Sequence, residues 1–429
     1  MPNKTEVHNN GQLKIGGVPA LNLAEKYGTP LIAYDVSAIK QQIASFKKGL
    51  ANYPAGGRII YASKAFSALA MYRLAAKEDI GCDVVSGGEL YAALAGGMDP
   101  EMIEFHGNNK LPEELEYAVK QKIGCIVVDN FHEIELLDKI LAAHHTTAKV
   151  ALRVAPGIEA ETHKYIATGQ SNSKFGFDLD SGQAQQALKA LLDSPHFDVI
   201  GLHCHIGSQI FNAEGFEMAA VKMVKLMKRW SEEFGFSARI LNLGGGFGIH
   251  YTESDQPLKP EIIVASLSQT VQTEIQKAGL ELPELWVEPG RSLVGEAGTT
   301  LYTVGSTKKV PGLCNFVAVD GGMGDNIRPA LYGAAYTALL AKDTNAPRNE
   351  LATIVGKYCE SGDVLVQAQM LPKFHADDIL ALLSTGAYGY SMASNYNRNG
   401  RPAVVFCEKA KDQLVIKRES YADMLRNEL

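Results

Sequence analysis

Between Arg58 and Gly290 the chain repeats one pattern eight times: a short β-branched run that stops at Gly, Ser, Asn or Asp, then a stretch with helical spacing. The runs are "RIIYAS", "DVVS", "MIEFHG", "CIVVDN", "KVALRVAPG", "VIGLHCHIG", "ILNLGGG" and "ELWVEPG". Between them, "GGELYAALAGG", "PEELEYAVKQK", "FHEIELLDKILAAHH", "SGQAQQALKALLDS" and "EMAAVKMVKLMKRWSEEFG" space their apolar residues as helices with one buried face do. Eight alternations in roughly 230 residues are what a closed (β/α)8 TIM barrel requires. An open doubly wound sheet is the runner-up. It would stop at about five to seven strands and place its glycine fingerprint after the first strand, whereas "LGGG" here follows the seventh.

After Gly290 the rhythm changes. "TTLYTVGSTKKV", "NFVAVDGG", "ATIVGKYCE", "DVLVQAQM" and "PAVVFCEKAKDQLVIKRES" read as strands joined by turns, with few long helices. The expected class is therefore α/β, a TIM barrel followed by a β-rich C-terminal domain of sandwich or barrel-like form. Residues 1–30, with "GQLKIGGVPALNLAEKYGTPLIAYD" around their end, fit neither part well and are expected to pack with the β-rich domain. The barrel is expected over 31–280 and the β-rich domain over 281–429.

A hydrophobic fraction of 46% with 21% charged residues is enough to bury cores of this size. The net charge is −7, from 41 basic and 48 acidic residues, with no basic block; nucleic acid and anionic membrane are poor partners. The start "MPNKTEVHNN" is polar, and no run of ~18 apolar residues occurs, so neither a signal peptide nor a membrane span is expected. Six scattered cysteines without a CxxC pair argue against a disulfide scaffold or a zinc ribbon. They suit a reduced, cytoplasmic compartment.

In such a barrel chemistry gathers at the C-terminal ends of the strands, where the loops converge. Those ends carry Lys64, Asp83, His106, Arg153, His205, Gly244, Gly245, Gly246 and Glu288. A lone lysine more often snorkels to solvent; the functional alternative is an amine desolvated enough to lose its proton and form a Schiff base. Position alone does not choose between them. The glycine run after strand seven offers bare backbone N–H groups to an anion, where barrels of this class often hold phosphate. "WVEPGRSLVGEAG" puts Glu288 and Arg291 beside it, and "HCHIGSQ" sets His203 and His205 on one strand face with Ser208 following.

Lysine, phosphate cradle and carboxylate together suggest pyridoxal phosphate. Lys64 would hold the aldehyde, Gly244–Gly246 with Ser208 the phosphate, and Glu288 the protonated pyridine nitrogen, while His205 would stack on the ring. Singly, Glu288 could cap a turn and His205 could be a satisfied buried histidine. The His-x-His pair also raises a metal hydrolase, but the fifth and seventh strands end in "VAPG" and "LGGG" without further ligands, so no metal is expected. A cofactor-free aldolase would use the lysine and leave Glu288 without a task.

"YASKAF", "HCHIGSQ", "NLGGGFG", "EPGRSLVGEAG", "DGGMGDNIRPALYG", "KYCESGDVL" and "TGAYGYSMASNYN" closely resemble the diaminopimelate decarboxylases. These are pyridoxal-phosphate enzymes of the alanine-racemase-type barrel group. The motifs run in order from residue 61 to 397, and several fall in the β-rich part, where barrel folding gives no reason for them. The resemblance implies decarboxylation of meso-diaminopimelate at its D-centre to L-lysine, the last step of lysine synthesis. It places the Schiff-base lysine on Lys64, the stacking histidine on His205, and the phosphate glycines in Gly244–Gly246. Asp83, Glu288, Gly290, Arg291 and Tyr388 would also hold the cofactor. Arg291, Arg328, Tyr332, Glu360 and Tyr388 would meet the substrate, and Cys359 would give the proton.

Two carboxylates and two ammonium groups on such a substrate call for guanidinium clamps and one anion, roles that suit Arg291, Arg328 and Glu360. "CESGD" discriminates, since relatives acting on ornithine or arginine carry aspartate after the cysteine. Small pyridoxal-phosphate-binding barrels lack a second domain and this motif, and a racemase would need a second base facing the lysine. The resemblance also implies a homodimer whose sites are shared across a two-fold interface.

Overall fold

A computed structural model describes residues 6–7, 11–158 and 173–429 of the chain, so most of the polar start "MPNKTEVHNN" lies outside the described residues. It divides into two units. One holds the described residues of Gln42–Gly248 and Pro257–Gly290; the other holds those up to Gln41, with Ile249–Gln256 and Arg291–Leu429.

In the first unit the eight apolar runs become eight strands: Gly57–Ala62, Gly81–Val84, Ile103–Phe105, Cys125–Val128, Ala148–Ala155, Phe197–His203, Ile240–Asn242 and Glu284–Val287. Each lies parallel to the next, and the last pairs back on the first through Leu285 and Gly57, so the sheet closes. A short strand, Phe177–Asp178, adds to the edge of the fifth. Ile60, Val127, Ala151, Ile200, Ile240 and Trp286 meet in one buried cluster, which makes the barrel a packed core rather than a pore.

Two of the helices start where a residue after a strand end caps them. Ser86 accepts from the Glu89 amide before Gly87–Ala95, and Asn130 accepts from the Glu133 amide before Phe131–Ala143. Each buries one stripe: Ile134, Leu137 and Leu141 in the second of these, and Phe216, Met223, Met227 and Trp230 in Glu214–Phe234. No helix among the described residues is long and apolar enough to cross a membrane.

In the second unit a sheet runs in the order Val364–Leu371, Glu350–Val355, Cys314–Val319, Gly298–Val310, Leu31–Asp35, Ala403–Glu408 and Lys411–Ile416. Ile379–Leu382 pairs with both Gly298–Val310 and Ala338–Leu340. Two buried clusters lie within this unit. One is built around Tyr302, Tyr336, Ile354 and Leu382, the other around Leu31, Leu301, Ala381 and Val405.

Two boundaries differ from those expected at residues 31 and 281. Leu31–Asp35 pairs antiparallel with Gly298–Val310 and parallel with Ala403–Glu408, so it belongs to the β-rich sheet. "LIAY" is buried on both faces and therefore reads like a barrel strand. Glu284–Val287 closes the barrel, which carries that unit to Gly290.

Closure leaves no room at Gly201. A Cβ there would sit inside contact distance of the Ile240 carbonyl oxygen on the adjoining strand. Gly201→Ala is expected to lower stability by roughly 1–3 kcal/mol through strain in the closed sheet. Chemical denaturation checks it, and an unchanged midpoint would refute the constraint.

Candidate active site

Lys64 sits in the single 3-10 turn Ser63–Ala65 that follows the first strand. The turn is held from the second strand, because Asp83 Oδ1 accepts from the Ser63 amide at 2.9 Å. Asp83 thus positions the lysine-bearing turn. Burial pushes its carboxyl up, with the charges of His106 and Lys64 working against that rise. Among the described residues Lys64 is exposed. Its surroundings are defined by a buried carboxylate and by His205.

Glu288, at the end of the eighth strand, is 6% exposed. Its Oε1 accepts from Asn242 Nδ2 at 2.8 Å and lies 3.1 Å from His203 Nε2 and 3.2 Å from His106 Nε2. Burial alone would raise this carboxyl, but the two imidazoles outweigh it and hold the group well below its ordinary range. The histidines divide. Burial drives His203 down to about 4, while for His106 the charges of Glu288 and Glu104 overcome burial and push it up to about 10. Their rings meet edge to face, with centroids 4.8 Å apart.

His106, His203 and Glu288 also have donor atoms within 4.8 Å of one another, a spacing that could suit a metal. In this arrangement both imidazoles stand against Glu288 Oε1 and hold the carboxylate.

The glycine run forms a turn against the loop after the sixth strand. Ile210 donates to the Gly246 carbonyl, and Gly248 donates to the Ile210 carbonyl, each at 2.9 Å. Gly244 at φ 68° and Gly246 at φ 114° occupy the left-handed region, and a Cβ on Gly245 would strike the Glu288 carbonyl oxygen. The three amides expected to face phosphate are not equivalent. Gly244 N–H donates to Asn242 Oδ1 at 2.9 Å and Gly245 N–H to His205 Nδ1 at 3.2 Å. The latter bond fixes the His205 ring with Nδ1 as acceptor. Burial, together with the Lys64 charge, keeps that imidazole well below its usual range, hence neutral. Ser208 is half-buried beside this loop. Gly290 is a close-packing residue, its Cα facing Ala62 where a Cβ would clash.

In the β-rich unit, Arg291 and Arg328 are both buried and both donate to one phenolic oxygen, that of Tyr251. Arg328 Nη1 also reaches Tyr336 Oη at 2.8 Å. Tyr388 lies near both cations, with 5.0 Å from its ring centroid to the Arg291 guanidinium and 5.9 Å to that of Arg328. Tyr332 is half-buried at the end of the short helix Arg328–Tyr332. Two guanidinium groups directed at one oxygen form a site that favours an anion.

Cys359 alone of the six cysteines is exposed. Its amide donates to Asn397 Oδ1 at 2.8 Å. Glu360 beside it is also exposed. The loop is pinned from below by Asp363, which accepts from the Tyr358 amide at 2.9 Å and the Met323 amide at 2.6 Å. The two motifs "KYCESGD" and "DGGMGDN" are therefore stitched together by one carboxylate.

Sequence reading missed Asn242, Glu104, Tyr251 and Tyr336. The first two left a signal, as polar residues inside the apolar runs "ILNLGGG" and "MIEFHG". The tyrosines left none, since aromatic residues at such places are usually core.

The pyridoxal-binding domain of pyridoxal-dependent decarboxylases matches residues 36–295. Over 420 residues the chain is 53% identical to a Bacillus subtilis diaminopimelate decarboxylase, covering 98% of this chain and 96% of that one. It is similar in structure to a diaminopimelate decarboxylase from M. jannaschii in complex with L-lysine. The TM-score is 0.93 at 36% identity, over 99% of this chain and 97% of that one. A Helicobacter pylori diaminopimelate decarboxylase with L-lysine superimposes with a TM-score of 0.86 at 32% identity, over 95% and 98% of the two chains.

The pinned loop gives a direct test. Asp363→Ala leaves two backbone donors without their acceptor and is expected to lower stability by roughly 2–4 kcal/mol. Asp363→Asn, which keeps one carbonyl oxygen, should lose less. Calorimetric unfolding of both variants checks the order, and equal losses would deny the carboxylate this role.

Proposed function

This chain belongs to the diaminopimelate decarboxylase family of pyridoxal-dependent decarboxylases, and from that premise we propose that it converts meso-diaminopimelate to L-lysine and CO2. The observation that carries the reading is Glu288, a buried carboxylate kept ionised and held through one oxygen at the barrel's strand ends. Such a group suits the protonated ring nitrogen of pyridoxal phosphate, because its other oxygen can take that N–H. The close-packed Gly244–Gly246 turn and the exposed amine of Lys64 fit the phosphate and the aldehyde ends.

When bound, pyridoxal phosphate supplies the electron sink that accepts the pair released as a carboxylate leaves the substrate carbon. The chain's residues do the rest. Lys64 holds the cofactor covalently through Nζ, on a turn that Asp83 fixes. His205, neutral and tethered to Gly245, presents a flat face for stacking. With the Gly244 and Gly245 amides already donating to side chains, phosphate contacts fall to Gly246 and Ser208. Arg291 and Arg328 clamp a carboxylate, with Tyr251 and Tyr336 fixing their guanidinium planes. Tyr332 and Tyr388 border them, Glu360 pairs an ammonium group, and Cys359 gives a proton to the carbon left by CO2.

We further propose a cytoplasmic homodimer with sites shared across the interface. All six cysteines are free thiols, which suits a reducing compartment. Cys359 and Glu360 stand exposed on their own chain, as residues serving a partner's site would.

Measuring CO2 release from meso-diaminopimelate beside L-lysine, ornithine and arginine tests the activity. Turnover should be confined to the first, and equal rates on all four would sink the substrate assignment. Borohydride should fix the cofactor at Lys64, and Lys64→Ala should abolish both attachment and turnover. For the shared site, inactive Lys64→Ala and Cys359→Ala subunits are mixed. Random exchange makes about half the dimers hetero, each with one intact site, so about a quarter of native activity should return. No recovery after confirmed exchange would mean that Cys359 serves its own chain.

A further inference from the structure

Beneath Glu288 lies a second buried carboxylate, Glu104, on the third barrel strand. The same two groups bridge the pair. Asn242 Nδ2 donates to Glu288 Oε1 at 2.8 Å and to Glu104 Oε2 at 3.0 Å. His106 Nε2 stands 3.2 Å from the first and 3.4 Å from the second. The other oxygen of Glu104, Oε1, is buried without a hydrogen-bond partner. A carboxylate that shares both of these partners with Glu288 is tied to what Glu288 does.

Resting on the reading of Glu288 as the partner of the cofactor's ring nitrogen, we propose that Glu104 is a positioning residue that sets the charge felt at Glu288 through Asn242 and His106. His106 as a cation balances one carboxylate; the cluster is neutral or carries one extra negative charge according to Glu104. Burial pushes Glu104 up to about 7, so both forms are within reach. Asp83 and Cys82 act on it from the second strand, and Cys125 from the fourth. Glu288 feels Arg153 from the fifth strand and His203 and Cys204 from the sixth. Neutral His203 and the thiols keep their charge through this range, and Arg153 stays a cation; burial raises Asp83 as well as Glu104, but Asp83 is tied to the Ser63 amide, whereas Glu104 alone of the two shares Asn242 and His106 with Glu288. Above its transition the added negative charge holds the ring-nitrogen proton more firmly and deepens the electron sink.

The test uses the cofactor-loaded enzyme, read by the visible absorbance of the bound cofactor and by kcat, from about pH 6 to pH 8. Wild type should show an inflection near 7 in both, with kcat rising on the alkaline side. Glu104→Gln keeps the acceptor for Asn242 and removes the charge, so both readouts should stay on the acid plateau at all pH. Glu104→Asp, which retains a carboxyl, should shift the inflection rather than lose it. An inflection unmoved in either variant, or absent from wild type, overturns the proposal. Glu288→Gln separates the two readings: if it leaves absorbance and kcat unaltered, the assignment of Glu288 itself falls. If it alters them while Glu104→Gln does not, only Glu104 is wrongly assigned.

Discussion

A carboxylate buried at the end of the eighth barrel strand must be matched by donors, and barrel closure brings them from its neighbours. An unpaired charge in such a place costs several kcal/mol and would simply take up a proton. Glu288 avoids this because the ends of the third, sixth and seventh strands each contribute one polar side chain: His106, His203 and Asn242 respectively. None of these reaches Glu288 unless the sheet is closed and its register fixed. Leu241 opposite Leu285, and Asn242 opposite Trp286, set that register on the adjoining strand. The glycine turn depends on the same frame. Gly245 passes so near the Glu288 carbonyl that any side chain would force the seventh and eighth strands apart.

The barrel was legible because its strands obey two independent rules at once. Each is a short apolar run rich in β-branched residues, and each ends on a turn residue, two of which, Ser86 and Asn130, cap the helix that follows. The β-rich unit was less so. Ile379–Leu382 and Ala338–Leu340 are four- and three-residue strands, too short for any periodicity to declare itself. Leu31–Asp35 was misassigned for a physical reason, since a strand buried on both faces looks alike in any sheet.

At the site, residues whose chemistry is rare in a barrel core, such as Lys64 and Glu288, stood out as candidates at the strand ends. The partners that make them work did not. Asn242 and Glu104 look like interruptions of an apolar strand, and Tyr251 and Tyr336 look like core. Their meaning lies in distances that sequence does not carry. Lys64 stands exposed on its turn, and what fixes its place is the Asp83 carboxylate that accepts from the Ser63 amide.

Arg291 and Arg328 present a different problem. Two guanidinium groups donating to the one oxygen of Tyr251 repel each other, and a phenol cannot balance two positive charges. Cation–aromatic contacts with Tyr251 and Tyr388 offset part of this, each on the order of 0.5–2 kcal/mol. The two side chains thus stand close together with their planes already fixed by the tyrosines. Fixed planes matter more than charge alone, since a fork held in place loses little entropy when a carboxylate docks on it. A lysine in either position would carry the charge without the plane. In the proposed site such a pair of forks would suit a substrate that brings a carboxylate besides the one it loses, which would separate a dicarboxylic diamino acid from the simpler basic amino acids.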